Sequence, residues 1–167
     1  MEPIQMVDLK NQYLHIKPEI DAIIADVINS SSFIKGPYVE QFEKALALYL
    51  NVKHVISCAN GTDALTIALM TLGLEKGDEV ITPAFSFIAA AESISFLGLK
   101  PIFADVDEKT FNIDCSSLKK KVTEKTKAII PVHLFGQCAN LLEIKRLAEK
   151  YNLLTIVRQP GNPFRGD

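Results

Sequence analysis

The chain has 167 residues, of which 48% are apolar and 23% charged, and its formal net charge is −2. That is enough chain for one domain with a real hydrophobic core, and a near-neutral balance gives no basic patch for nucleic acid and no acidic solvating tail. No apolar run approaches the roughly 18 residues that cross a bilayer, and MEPIQMVDLKNQ lacks a basic stretch followed by an apolar core, so neither a membrane span nor a secretory signal is expected.

In chain order, residues 1–16 read as an irregular N-terminal arm. A helix is expected over Pro18–Asn29, where Pro18 suits the first turn and Ile20, Ile23, Ile24, Val27 and Ile28 share a face. After the polar turn at Lys35-Gly36-Pro37, a second amphipathic helix is expected at Tyr38–Leu50, with Val39, Phe42, Leu46 and Tyr49 on one stripe. From His54 the pattern becomes strands alternating with helices. Strands are expected at Val55–Ser57, Glu79–Thr82, Pro101–Asp105, Ala128–Val132 and Leu153–Val157. Helices are expected at Thr62–Leu72, Ser86–Leu97, Ser116–Val122 and Leu141–Tyr151. Short apolar strands between helices of this length predict an α/β fold, a mainly parallel sheet covered on both faces. In such sheets ligands gather beyond the carboxyl ends of the strands, which singles out the loops Ala59–Thr62, Pro83–Phe87 and His133–Gln137.

The stretch HVISCANGTDALTIALM carries the most chemistry. An apolar run ends in small polar residues, turns at Asn60-Gly61 and opens into a helix. The free N–H groups of a first helical turn, together with the dipole, attract an anion, so a phosphate on Gly61 N–H, Thr62 N–H and the Thr62 hydroxyl is one reading. A plain capped helix is the other, with Asn60 or Thr62 as N-cap and Asp63 in the first turn. Phe85 and Phe87 stand at a strand exit where an aromatic can stack on a flat heterocycle, or they fill core or interface. His133 and Gln137 end a strand beside Gly136, and His133 reads equally as a loop histidine with its bonds satisfied. Cys58, Cys115 and Cys138 are widely spaced, with no C-x-x-C pair, and the three histidines are scattered. A cytoplasmic chain with no metal site is therefore expected.

FIKGPYVEQFEKALALYLNVKHVISCANGTDALTIAL, GDEVITPAFSFIAAAESI, PIFADVDEKTFNID and KTKAIIPVHLFGQCANLLEIKRLAEKYNLLTIV, in that order and spacing, resemble the N-terminal half of the DegT/DnrJ/EryC1/StrS family. These are sugar aminotransferases, pyridoxal-phosphate enzymes of aspartate-aminotransferase fold type I. The resemblance runs from about Met6 to Val157. It implies an incomplete large domain over residues 17–157 and transfer of an amino group, usually from glutamate, to a keto sugar on a nucleotide diphosphate, for surface-polysaccharide or antibiotic sugars. It also implies pyridoxal 5'-phosphate as cofactor, a homodimer, Gly61 and Thr62 as phosphate donors and Phe87 as the aromatic stacked on the pyridine ring. His133 lies in a motif typical of the family and is assigned no catalytic role.

The chain departs from the family after Val157, reading RQPGNPFRGD. Gln159 falls where the family has the aspartate that keeps the pyridine nitrogen protonated, and an amide supplies no such charge. Residues 158–167, rich in Pro and Gly, read as a disordered non-family tail. Lys119, Lys120, Lys121, Lys125 and Lys127 read as a solvated face, and none has the context of the Schiff-base lysine. With no catalytic residue assigned, the expectation is a truncated product, inactive alone, arising from a frameshift, a premature stop or a splice. Two alternatives stand beside it. One is a non-catalytic fragment that pairs with a full-length homologue. The other is a Rossmann-type nucleotide binder, although NGTDAL lacks G-x-G-x-x-G. Asp105 and Asp107 mimic a glycosyltransferase metal motif, with a polar strand end and turn as the competing reading.

Overall fold

The computed structural model describes residues 7–157, so the tail at 158–167, Gln159 included, lies outside the described residues, as do residues 1–6 of the expected arm. The chain divides into two compact units, Met1–Ser57 and Cys58–Asp167.

The first unit is a pair of helices, α1 (Leu9–Ser30) and α2 (Pro37–Leu50). The expected irregular arm is helical from Leu9 onward, which corrects the start at Pro18. Asp8 is the reason: its carboxylate accepts Asn11 N–H at 3.1 Å and caps the helix ahead of the proline. Pro18 then sits inside the helix, where it removes one donor. Tyr38 Oη donates to the Asp26 carboxylate at 2.9 Å and ties α2 to α1. Neither helix has a buried residue. The strand expected at Val55–Ser57 does not form. A strand exists only through a ladder, and no strand among the described residues pairs with it. Ile56 is 78% exposed, and Ser57 N–H donates to the Glu43 carboxylate at 2.8 Å instead.

The second unit is an α/β layer built from α3 (Gly61–Met70), β1 (Glu79–Pro83), α4 (Ala89–Phe96), β2 (Lys100–Ala104), α5 (Cys115–Lys121), β3 (Thr126–Ile129), α6 (Leu141–Tyr151) and β4 (Leu154–Thr155). The strands lie in the order β2-β1-β3-β4, and all three pairings are parallel. Side chains alternate across the pleat, so Val80 and Ala128 enter one cluster while Ile81 and Ile129 enter the other. Leu65 and Leu69 of α3, with Ala89, Ala90 and Ile94 of α4, cover the first face. Leu118 of α5, with Ile144, Leu147 and Ala148 of α6, covers the second. This is the two-sided parallel sheet that the sequence predicts.

Several element bounds differ from those expected by one to three residues, among them those of α3, α4, β3 and β4. The ladder of β3 with β1 closes with Ile130 N–H on Ile81 O at 2.8 Å, and Pro131, whose position faces the β4 side, has no N–H to offer there. Helix α4 begins at Ala89 rather than Ser86. Its first turn closes through Glu92 N–H on Ile88 O, and Ile88 at the N-cap makes no side-chain cap bond. A short 3-10 turn at Leu134–Gly136 occupies the expected third loop, with Phe135 at φ 55° and Gly136 at φ 82°.

Candidate functional site

Asn60 sets the start of α3. Its backbone is extended, and its Oδ1 accepts Thr62 N–H at 3.0 Å and Asp63 N–H at 2.9 Å. Its Nδ2 donates to the Asp63 carboxylate at 2.9 Å. Asn60 is thus the N-cap, and it engages one of the donors the sequence offers to an anion. Gly61 N–H and the Thr62 hydroxyl stand outside this cap. A Cβ on Gly61 would meet nothing within 4 Å, so the space over the helix end is open. Behind it, Thr66 Oγ1 donates to Thr62 O at 3.1 Å and lies 3.1 Å from Ser93 Oγ, locking α3 against α4. A hollow of about 260 Å³ opens there, lined by Thr62, Asp63, Thr66, Glu92, Ser93 and Phe96.

At the carboxyl end of β1, Phe85 is 52% and Phe87 66% exposed, so neither ring is core filler. Phe85 packs on Phe111, ring centroids 5.6 Å apart. His133 behaves differently. It is buried, and its Nδ1 accepts Ala139 N–H at 3.1 Å. The neutral ring therefore carries its proton on Nε2, and burial pushes its pKa below the usual imidazole value. Its neighbourhood holds a residue that periodicity does not single out. Asn112 is buried, accepts Leu134 N–H on Oδ1 at 3.3 Å, and donates through Nδ2 to Gln137 O at 3.2 Å and Cys138 O at 3.3 Å. Its partners lie 22 to 26 residues along the chain, beyond the reach of any local pattern.

Asp107 is used up in its own turn: Oδ1 accepts Lys109 N–H, Thr110 N–H and the Thr110 hydroxyl, and these bonds hold its pKa below the usual carboxylate value. Asp105 accepts Val106 N–H. Both act as turn formers. Among the described residues no three His, Cys, Asp or Glu side chains gather as a metal site, and no helix is long and apolar enough to cross a membrane. Lys119, Lys120, Lys121, Lys125 and Lys127 are all exposed. A larger hollow, about 330 Å³, lies between Asp107, Asp114, Cys115 and Cys138 and includes none of Gly61, Thr62 or Phe87.

The donor chemistry at α3 fits the phosphate of a pyridoxal cofactor. A helix end with a backbone N–H and a hydroxyl outside its cap, under open space, is suited to an anion.

The DegT/DnrJ/EryC1/StrS aminotransferase family matches residues 14–157. The chain is 48% identical over 153 residues to the UDP-2-acetamido-2-deoxy-3-oxo-D-glucuronate aminotransferase of Pseudomonas aeruginosa, covering 92% of this chain and 43% of that protein. It is 50% identical to a pleiotropic regulatory protein of Geobacillus stearothermophilus, covering 92% of this chain and 41% of that one. The crystal structure of NtdA from Bacillus subtilis with bound cofactor PMP superposes with a TM-score of 0.86 at 36% identity, covering 94% of this chain and 36% of NtdA. The chain thus spans about two fifths of the length of the curated relatives it matches, and its parallel sheet with flanking helices is one part of a larger fold. It belongs to the DegT/DnrJ/EryC1/StrS aminotransferase family.

Proposed function

We propose that residues 17–157 form the cofactor-holding part of a pyridoxal-phosphate-dependent aminotransferase acting on a nucleotide-linked keto sugar, with glutamate as amino donor, in the cytoplasm. The observation that carries this is the start of α3, where Gly61 N–H and the Thr62 hydroxyl stand free of the Asn60 cap beneath open space. The P. aeruginosa relative is named for a UDP-linked oxo sugar acid, which supports the substrate class. When bound, the cofactor supplies an electron sink. Gly61 and Thr62 hold its phosphate against the positive end of α3. Phe87, exposed at the exit of β1, orients the ring by stacking and keeps water off one face.

Residues 1–167 contain no lysine in the family's Schiff-base context, and Gln159 supplies no charge for a pyridinium. A second reading, pairing with another copy or with a full-length homologue, is favoured by α1, where Leu9, Ile16, Ile20, Ile23 and Ile28 are all exposed and none is buried.

Titration of the chain with pyridoxal 5'-phosphate and with unphosphorylated pyridoxal tests the reading. Saturable binding of the phosphorylated form only is expected. Equal affinity for both compounds, or none for either, overturns it.

A further inference from the structure

The turn between β2 and α5 is closed on itself. Asp107 N–H donates to Asn112 O at 2.9 Å, and Phe111 N–H donates to Asp107 O at 2.8 Å. Closure forces Phe111 into the left-handed region at φ 57°, where a bulky residue is uncommon. The surroundings hold it there, and two adjacent side chains reach two different loops as a result. The Phe111 ring packs on Phe85, in the loop that leads to Phe87. Asn112, 4% exposed, makes its three hydrogen bonds to Leu134, Gln137 and Cys138. Those bonds bracket the strained 3-10 turn that follows His133.

We infer that Phe111 and Asn112 are positioning residues: one closed turn fastens the Phe85–Phe87 loop and the His133–Cys138 loop, so that the loops beyond β1 and β3 keep one arrangement. A buried amide whose donors and acceptor all cross to one neighbouring segment fixes that segment more firmly than apolar packing does. The strain at Phe111 is the local cost of serving both loops from a single turn. The consequence for cofactor binding rests on the proposed function. The positioning itself does not.

The test uses the whole 167-residue chain. Asn112→Ser removes the acceptor to Leu134 and both donors to Gln137 and Cys138 and adds no charge beside His133. Phe111→Leu keeps the backbone bonds and removes the ring contact. Leu69→Val, in the core cluster that holds neither Ala139 nor a residue of either loop, controls for lost stability. The readouts are the imidazole titration of His133 by NMR and amide exchange of the two loops. In N112S the His133 titration moves up toward the ordinary imidazole value, and the Leu134 and Ala139 amides exchange about tenfold faster. In F111L the His133 titration stays put, and exchange speeds at residues 85–88. L69V moves neither beyond its effect on global stability. An unchanged His133 titration in N112S, or an equal change in L69V, overturns the proposal. If N112S does not fold, Asn112→Thr is read in the same way. Pyridoxal 5'-phosphate affinity is measured in parallel and is expected to fall in both N112S and F111L. If the unmutated chain binds none, the functional reading fails while the His133 titration still decides the positioning.

Discussion

At the amino ends of the strands the polar groups bond one another. Buried Glu79, which opens β1, accepts from Lys100 Nζ at 3.0 Å and from Thr123 Oγ1 at 2.5 Å, and Thr123 N–H donates to Thr126 Oγ1 at 2.9 Å. Beyond the carboxyl ends, where His133 and Asn112 are buried and bonded, four aromatic side chains are displayed. Phe85 and Phe87 are more than half exposed, and Phe111 and Phe135 sit in left-handed conformations. A cluster that closes its own bonds gains nothing from a ligand. An end that leaves aromatic faces in solvent and holds backbone strain is built for something outside it. The contrast supports the carboxyl end as the side on which the proposed cofactor would sit.

The core shared by both ends sets the largest effect. Leu69 of α3, 1% exposed, packs in the cluster beneath β1 and β3. Leu69→Ala should cost about 2–5 kcal/mol in urea unfolding, because deletion adds a cavity to the lost transfer energy. A cost below about 1 kcal/mol would mean that the layer does not stand on this cluster, and the contrast between its ends would lose its common base.

The amino end predicts a smaller effect that depends on pH. The Thr123 hydrogen bond first, and the Lys100 bond and charge after it, hold Glu79 below the ordinary carboxylate value. A depressed carboxyl contributes stability that is complete above its unfolded pKa, about 4.3, and is lost as pH falls through the lower folded value. Glu79→Gln cannot titrate. It should cost about 1–2 kcal/mol at neutral pH, and its deficit should shrink below about pH 4. A deficit that does not vary with pH would show that shape, not charge, closes this end.

How much of this contrast is legible in the sequence depends on how local each cause is. Helix α6 falls on its expected bounds, Leu141–Tyr151, because Asn140, the apolar stripe and Asn152 all lie within it or at its ends. Helix α2 and strand β1 fall within one residue for the same reason. The failures involve distant partners. Val55–Ser57 has the composition of a strand but no ladder among the described residues. Pro18 resembles a first-turn residue only if the cap at Asp8 is overlooked. In the candidate site, Asn60-Gly61-Thr62 announces itself by its cap. Phe111 and Asn112 do not, since positive φ at a phenylalanine carries no compositional mark and Asn112 acts on residues 22 to 26 positions away.

The carboxyl end predicts the smallest effect on stability and the most specific effect on binding. Phe87 is 66% exposed, so Phe87→Ala removes little area from the core. Its unfolding free energy should stay within about 0.5 kcal/mol of the parent. If the ring stacks on a cofactor, the same change should weaken pyridoxal 5'-phosphate about 3- to 10-fold, the worth of one aromatic pair. Leu69→Ala supplies the opposite pattern, a large loss of stability with no ring removed from the site. Stability and affinity measured on both variants therefore separate display from support. A Phe87→Ala chain that binds as well as the parent would leave the exposed aromatics to an interface between chains, and the ligand end of the sheet would rest on the start of α3 alone.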